Sequence, residues 1–409
     1  MPPPPFSPSP PACAGALSWS ASPSAPFSRR RRISFRLAAL ALCASGVLGP
    51  WHEGLAGSAE AKALQGPAFT DPAARVQMAP EWLNQPIEHD AAAKNAALAL
   101  SLDQQIHPML EELVARFAKD KGIQIALREG TCGISSGLLL RKRVDMAGFC
   151  CPPDVTDRLP GLIYHTLGIV PLHVIVHPDN PIDNLSMDQL RKIFQGEYYR
   201  WSELAAGGGK ALPPWPIQTV GRLHCKLRPG DWRLILDNSD LFSPRMQEVG
   251  AIPDMMYQVM NAPGGIGYET GWHIQRYQEK GLAKAIKING HDPKNEENLL
   301  TLRYPLYRVF SITTWEHDQD ARTLSQELLR TIREAVETGV PSHGVIPASK
   351  LRAAGWKFQG DELVGEPETS PARPGPPPAA SITAPGERSP PPVLATTGTP
   401  DGSVRRSGR

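Results

Sequence analysis

The side chains best suited to chemistry in this sequence are thiols. Four cysteines and one neighbouring histidine fall in loops that follow predicted strands: Cys132, Cys150, Cys151, His224 and Cys225. Thiolate and imidazole are the ligands preferred by soft or borderline metals such as Cu(I) and Zn(II). These five residues therefore form a candidate site for a soft metal or metalloid ion.

The same cysteines admit two other interpretations. In an exported protein, four cysteines are an ordinary setting for two structural disulfides, and sequence spacing does not reveal which residues pair. Cys150 and Cys151 are adjacent and would more naturally bridge to different partners than to each other. Redox-active thiols are a third alternative. Disulfides are the leading expectation, and the sequence leaves all three open.

A second set of polar side chains is suited to holding a small anion. Arg222, Lys226 and Arg228 lie close together, and their cationic groups can bind an oxyanion through charge-assisted hydrogen bonds. Solvated surface charge is the alternative for Lys226. These three residues are therefore candidate anion ligands.

The elements that position these loops begin with a strand, a helix and a strand. Alternating leucines predict a strand over 97–102, and apolar residues at helical spacing predict a helix from Ile106 to Phe117. A second alternating strand is predicted over 123–127. This order favours a parallel sheet, in which loops at the carboxyl ends of the strands share one edge.

Later segments continue the pattern. A loop is predicted over 129–137, with a short helix starting at Leu138 and a strand over 144–149. The apolar segment 167–176 is predicted to be a buried strand that crosses between two lobes.

A capping box marks the start of another helix. Ser186 and Gln189 stand at the spacing of this motif ahead of Leu190, and Gly196 supplies a stop.

One stretch resembles a known family. Residues 180–196 read Asn-Pro-Ile-Asp-Asn-Leu-Ser-x-x-Gln-Leu-x-x-Ile-Phe-x-Gly, followed by Trp201-x-Glu203-Leu204. This pattern resembles the phosphate-binding-protein branch of the periplasmic solute receptors served by ABC transporters. Gly265-Ile-Gly267-Tyr268, read as the strand returning to the first lobe, and Tyr304-Pro305-Leu306-Tyr307 support the resemblance, which covers about residues 96–360.

The resemblance implies an α/β fold of the type 2 periplasmic binding proteins. Each lobe would contain a mixed, mainly parallel sheet flanked by helices, and a ligand would be held in the cleft between the lobes. The implied function is a monomeric, non-enzymatic receptor that binds a small anion and presents it to a membrane transporter. Arg222 matches the arginine that this family uses for its ligand, and the resemblance implies an anion-binding set of Gln105, Thr131, Ser135, Ser136, Arg222, Lys226 and Arg228.

The ligand set nevertheless differs from that of phosphate receptors. Where relatives have a Gly-Ser-Gly-Thr type of turn, residues 222–229 read Arg-Leu-His-Cys-Lys-Leu-Arg-Pro. Where relatives offer a carboxylate or Ser-Arg-Pro, residues 150–153 read Cys-Cys-Pro-Pro. We therefore expect a phosphate-like anion bound by an altered set of groups.

The N-terminal residues predict that the protein is exported. Four arginines at 29–32 precede an apolar run at 37–48, the order of a secretory signal for the Sec or the twin-arginine route to the periplasm. The predicted organisation is a disordered leader with the export signal at 1–63, a linker at 64–95, the first part of lobe 1 at 96–172, lobe 2 at 173–265, a return to lobe 1 at 266–360 and a disordered Pro-rich tail at 361–409.

Composition excludes other classes. The net charge of +2 gives no bulk attraction to nucleic acid. No Ser/His/Asp spacing or H-E-x-x-H motif indicates an enzyme.

Three histidines lie on or near the predicted crossing strand: His165, His173 and His177. They lack metal-ligand spacing, so we expect hydrogen-bonded structural histidines.

Overall fold

A computed structural model describes seven ranges of the chain: 69–204, 211–222, 235–236, 239–278, 283–316, 319–339 and 343–368. The predicted export signal and most of the Pro-rich tail lie outside these ranges, as do the candidate site residues His224, Cys225, Lys226 and Arg228.

The described strands are β1 (Leu98–Asp103), β2 (Ile125–Gly130), β3 (Met146–Phe149), β4 (Leu162–Val176), β5 (Asn184–Leu185), β6 (Gln218–Arg222), β7 (Gln247–Val249), β8 (Gly265–Thr270), β9 (Lys284–Ile288), β10 (Tyr307–Trp315), β11 (Ile346–Pro347), β12 (Lys357–Gln359) and β13 (Glu362–Gly365).

The described α-helices are α1 (Pro80–Leu83), α2 (His107–Lys121), α3 (Cys132–Leu140), α4 (Met187–Gln195), α5 (Ile252–Met260), α6 (Gly271–Arg276), α7 (Glu296–Leu300), α8 (Gln319–Glu337) and α9 (Ala348–Ala353). Short 3-10 turns occur at Val155–Asp157, Trp201–Glu203 and Ser239–Leu241.

The first lobe is built on β1, β2 and β3. β1 pairs in parallel with both neighbours, so the carboxyl ends of all three strands lie at one edge. β10 runs antiparallel beside β3 and continues along β4. Apolar residues of α2, α3 and α8 pack on this sheet, which gives the first core.

The second lobe is built on the far half of β4. Leu172–Val176 pairs antiparallel with β8, and β8 pairs in parallel with β6, which in turn pairs with β7. β9 lies antiparallel to β4 and parallel to β5. Residues of α4 and α5 fill the second core. Both lobes therefore have the mixed, mainly parallel sheets with flanking helices that the sequence predicts.

The 15-residue strand β4 connects the two lobes. Leu162, Tyr164 and Leu167 contribute to the first core, whereas Val174 and Ile175 contribute to the second. A strand buried along both halves must be apolar nearly throughout, which is why this segment reads as a continuous hydrophobic run. The predicted crossing strand is confirmed, and it starts five residues earlier than the apolar pattern indicated.

Local signals place several other elements correctly. α4 starts at the predicted capping box: Ser186 Oγ accepts from the backbone N–H of Gln189 at 3.0 Å, and the Ser186 N–H donates to Gln189 Oε1 at 2.9 Å. α4 ends at Gly196, whose φ of 82° is left-handed.

Three boundaries differ from the prediction. The chain returns to the first lobe later than residue 266, because β8 and β9 pair with the second-lobe half of β4 and the return is made by β10. The strand that begins at Gly265 therefore belongs to the second lobe. At the predicted tail, residues 361–368 are described, and β13 pairs with β12.

The third correction concerns the loop predicted over 129–137. α3 begins at Cys132, not at Leu138, because Thr131 acts as its N-cap: Thr131 Oγ1 accepts from the N–H of Ile134 at 3.2 Å.

Within the described ranges, no helix combines the length and apolar character needed to cross a bilayer.

Gly168 tests the importance of the crossing strand. A Cβ at this position would lie 2.1 Å from the carbonyl oxygen of Ile346 on β11. Gly168→Ala is expected to lower the free energy of unfolding by about 3 kcal/mol, since overpacking in a rigid core forces the backbone apart. Urea denaturation measures the change.

Gly250→Ala is the matched control, because a Cβ there meets no atom within 4 Å. It should change the free energy of unfolding by less than about 0.5 kcal/mol. Equal stability of the two variants would contradict the close packing of β11 on β4.

Candidate functional site

Loops from both lobes meet at the carboxyl ends of β1, β6 and β8. Gln105, which follows β1, donates from Nε2 to Glu269 Oε1 of the second lobe at 2.7 Å. Thr270 Oγ1 returns a hydrogen bond to Gln105 Oε1 at 3.3 Å. Gln104 Oε1 accepts from Arg222 Nη2 at 3.0 Å. Direct side-chain hydrogen bonds thus join the two lobes at this point.

Arg222 occupies the centre of this contact. It is the last residue of β6, is 1% exposed, and its backbone N–H donates to the Tyr268 hydroxyl at 3.1 Å. Its Nη1 lies 3.8 Å from Glu269 Oε2, and Glu269 is fully buried. A buried charge is costly unless an opposite charge offsets it, so this carboxylate and guanidinium stabilise each other.

Glu269 was not among the predicted site residues. It lies directly after Tyr268, within a segment recognised as a strand, and β8 ends one residue later at Thr270. An acidic side chain at the carboxyl end of a buried strand is the signal that could have identified it, because ligand sites of α/β sheets lie there.

Asp103 is a second residue that the predicted ligand set omits. Its Oδ2 accepts from the backbone N–H of Cys132, the first residue of α3, at 3.1 Å. Its Oδ1 accepts from the N–H of Gln105 at 2.9 Å. The amino end of a helix favours negative charge, and here a carboxylate of the protein itself occupies that position.

The predicted hydroxyl ligands bind other groups of the first lobe. Thr131 caps α3, as described above. Ser135 donates to the carbonyl oxygen of Ser101 at 3.1 Å and is fully buried. Ser136 donates to Asp157 Oδ1 at 2.6 Å. In the described structure these two serine hydrogen bonds stay within the first lobe, whereas Gln105 and Arg222 reach the contact between lobes.

The three described thiols lie together beside Asp103. The sulfur of Cys132 is 3.5 Å from that of Cys150 and 3.6 Å from that of Cys151, and all three residues are buried. A disulfide bond measures about 2.05 Å, so these two pairs are in contact without being bonded to each other. Cys132 Sγ also lies 3.5 Å from Asp103 Oδ2.

The surroundings of Cys132 and Cys150 keep these two thiols protonated. The hydrogen bond with Cys150 lowers the pKa of Cys132, but the hydrogen bond with Cys151, burial and the nearby Asp103 outweigh it and raise that pKa well above its usual range. For Cys150, the hydrogen bond with Cys132 raises the pKa most, with burial and Asp103 acting in the same direction. Neither thiol is therefore a thiolate at neutral pH.

The described histidines have mixed environments. His165 contacts Asp361 at 3.0 Å and Thr314 at 2.9 Å, as expected of a hydrogen-bonded structural residue. His177 Nδ1 accepts from the N–H of Asp179. His173 differs, because its buried Nδ1 has no hydrogen-bond partner among the described residues. The prediction of fully hydrogen-bonded histidines therefore fails at His173.

Comparison with known proteins identifies the fold family. Residues 89–329 match the model of the PBP superfamily domain, which is more than half of the chain. The chain belongs to this superfamily.

One curated relative is a phosphate-binding protein. Phosphate-binding protein PstS of Bacillus subtilis is 24% identical over 197 residues, which are 47% of this chain and 59% of that protein. The chain thus spans less than two thirds of this curated relative.

One solved structure supports the fold. A putative phosphate ABC transporter substrate-binding protein with bound phosphate from Clostridium perfringens is 18% identical, with a TM-score of 0.51, and the match covers 61% of this chain and 99% of that one. An ABC-type phosphate transport receptor from Vibrio cholerae has the same identity and coverage, with a TM-score of 0.49.

Two buried histidines near this site make stability depend on pH. Burial lowers the pKa of both His173 and His273 to about 4, so both stay neutral when folded. Once unfolded, each regains a pKa near 6.5 and binds a proton more readily. The free energy of unfolding should therefore be fully retained above about pH 6.5 and decrease between pH 6.5 and 4, by about 3 kcal/mol per histidine.

Urea denaturation at pH 7 and pH 4.5 measures this decrease. His173→Gln should show a smaller loss than the unmodified protein, because glutamine does not titrate. Gly250→Ala, which removes no titrating group and meets no atom within 4 Å, is the control and should keep the full pH dependence. An unchanged pH dependence in His173→Gln would contradict the neutral, buried state of that ring.

Proposed function

We propose that the protein is an exported, non-enzymatic solute receptor that binds a small phosphate-like anion between its lobes and delivers it to a membrane transporter. The chain belongs to the PBP superfamily, and the names of the similar proteins from Bacillus and Clostridium refer to phosphate. The observation that carries the proposal is the buried Arg222 at the contact between the lobes.

The position of Arg222 suits ligand-dependent closure. Its Nη2 already bonds to Gln104 across the lobes, so an oxyanion that takes the place of the Gln104 amide oxygen would receive a charge-assisted hydrogen bond. Gln105, bonded to Glu269 and Thr270, lies next to it. A ligand that bonds to groups of both lobes stabilises their closed arrangement, because it gains contacts there that an open arrangement lacks.

Glu269 limits the charge that this site can accept. Its carboxylate offsets Arg222, so the described pair offers no net positive charge to an incoming anion. Lys226 and Arg228 follow β6 in sequence, and we propose that they supply the remaining charge from the second lobe. This arrangement favours anions of low charge or anions that carry a proton, which Glu269 can accept as a hydrogen bond.

Location and assembly follow from the same proposal. The arginines at 29–32 and the apolar run at 37–48 would direct the chain to the periplasm. We propose that it works as a monomer, because the loops that would hold its ligand come from two lobes of one chain.

Anion titration tests the role of Arg222. Isothermal calorimetry with phosphate, arsenate and sulfate should detect binding of at least one of them to the unmodified protein. Arg222→Lys keeps the charge but loses the planar fork, and should bind at least about tenfold more weakly.

Arg245→Lys is the matched control, because Arg245 donates to the Gly196 carbonyl away from the contact between the lobes. It should bind with unchanged affinity. The proposal fails if none of the three anions binds at millimolar concentration, or if both arginine variants behave alike.

Glu269→Gln tests whether the Glu269 carboxylate competes with an incoming anion for Arg222. Glutamine can keep the acceptor oxygen for Gln105 and Thr270 while removing the negative charge beside the guanidinium. We expect the affinity for sulfate, which carries no proton at neutral pH, to increase by about tenfold. Glu248→Gln, on β7, serves as the control for loss of one negative charge. A decrease in affinity caused by Glu269→Gln would show that this carboxylate assists binding.

A further inference from the structure

Three donor atoms in the first lobe lie at the separations of a metal site. Asp103, Cys132 and Cys150 each offer one atom, and all three atoms lie within 4.8 Å of one another. Cys132 Sγ is 3.5 Å from Cys150 Sγ and 3.5 Å from Asp103 Oδ2. Tetrahedral Zn(II), with Zn–S of about 2.3 Å and Zn–O of about 2.0 Å, separates two sulfurs by about 3.8 Å and a sulfur from an oxygen by about 3.5 Å.

We propose that Asp103, Cys132 and Cys150 bind one thiophilic divalent cation, with Zn(II) as the reference ion. Two thiolates and one carboxylate form a donor set that zinc accepts readily. The fourth position is open to water or to another ligand. The proposal does not depend on anion binding by Arg222, which is not among the three donors.

The elements that carry the donors hold them in place. Asp103 ends β1, Cys150 directly follows β3, and the two strands are paired in parallel with Leu102 opposite Gly148. Cys132 is the first residue of α3 and is tied to Asp103 by the 3.1 Å backbone hydrogen bond. Donors placed on paired strands and a helix end need little rearrangement to close around an ion.

Arg308 makes the charge balance favourable. This buried side chain on β10 places Nη1 3.6 Å from Cys150 Sγ. With both thiols protonated, the charges of Asp103 and Arg308 cancel. A divalent ion that displaces the two thiol protons leaves three anionic donors, the ion and Arg308, and these charges also sum to zero. Ion binding therefore exchanges two protons for one cation without adding net charge to the interior.

Cys151 is excluded from the donor set. Its sulfur contacts that of Cys132 at 3.6 Å, yet it does not belong to the group of donor atoms that all lie within 4.8 Å of each other among the described residues. Cys151 also hydrogen-bonds with Cys150, and the proposed set takes Asp103 as its third ligand because its oxygen lies within 4.8 Å of both other donor atoms. The sequence-based set had included Cys151, His224 and Cys225 and had omitted Asp103.

The test uses the full chain, purified under reducing conditions and freed of metal with a chelator. Zn(II) is titrated by calorimetry against a competing chelator in weakly buffered solution. We expect one ion to bind per chain and protons to be released with it, because cysteine ligates a divalent ion as the thiolate. Co(II) in place of Zn(II) should give thiolate-to-metal charge-transfer absorption.

Cys132→Ser and Cys150→Ser should each weaken Zn(II) binding by at least about a hundredfold, and Asp103→Asn by at least about tenfold. Cys151→Ser is the control and should stay within about threefold of the unmodified protein. Circular dichroism checks that each variant is folded. Since Asp103→Asn can weaken the start of α3, the proton release and the Co(II) spectrum of the unmodified protein provide a test that needs no variant.

Several outcomes would overturn the proposal. Binding that survives Cys132→Ser and Cys150→Ser would place the ion elsewhere. Binding lost in Cys151→Ser but kept in Asp103→Asn would replace this donor set by three thiolates. Absence of Zn(II) binding by the reduced protein, with a Cys132–Cys150 disulfide in peptide maps of the unreduced protein, would assign the pair to disulfide formation. None of these results bears on Arg222, so failure here leaves the anion proposal to its own test.

Discussion

The crossing strand β4 is the constraint on which the rest of the structure depends. It belongs to both cores, so each lobe forms its sheet against the same continuous backbone. Side chains of a strand alternate between faces, and a slip of one residue would move every buried side chain of β4 to the wrong face in both lobes. The contact between Gln105 and Glu269 exists only because this register orients the carboxyl ends of β1 and β8 toward each other.

Buried charges at the site are balanced inside the protein. Arg222 lies beside Glu269, and Asp103 accepts hydrogen bonds from the start of α3. The second arrangement has a direct consequence for ligand binding. The amino end of a helix is a favourable place for an anion, but here the Asp103 carboxylate already holds it. Under the proposed function, binding of an external anion would therefore depend chiefly on the second lobe, whereas the first lobe presents acidic and thiol groups suited to a cation.

Local sequence patterns predicted the elements well wherever neighbouring residues decide the structure. The Ser186 capping box, the helical spacing in α2 and the apolar run of β4 are all short-range signals, and each specified an element that the structure contains. The start of α3 was placed too late because the residues after Thr131 are small and polar, which resembles a loop. Its helical state depends on the Thr131 cap and on the contact between Cys132 and Asp103.

The sequence by itself determined the α/β class, the crossing strand, and the presence of thiols and of Arg222 at the ends of strands. Only the tertiary structure decided which of these groups meet. Asp103 reaches Cys132 and Cys150 because β1 pairs in parallel with β3, and Glu269 reaches Arg222 because β8 pairs with β6. Strand order and register arise from packing between segments far apart in the chain, and short-range patterns carry no record of that packing.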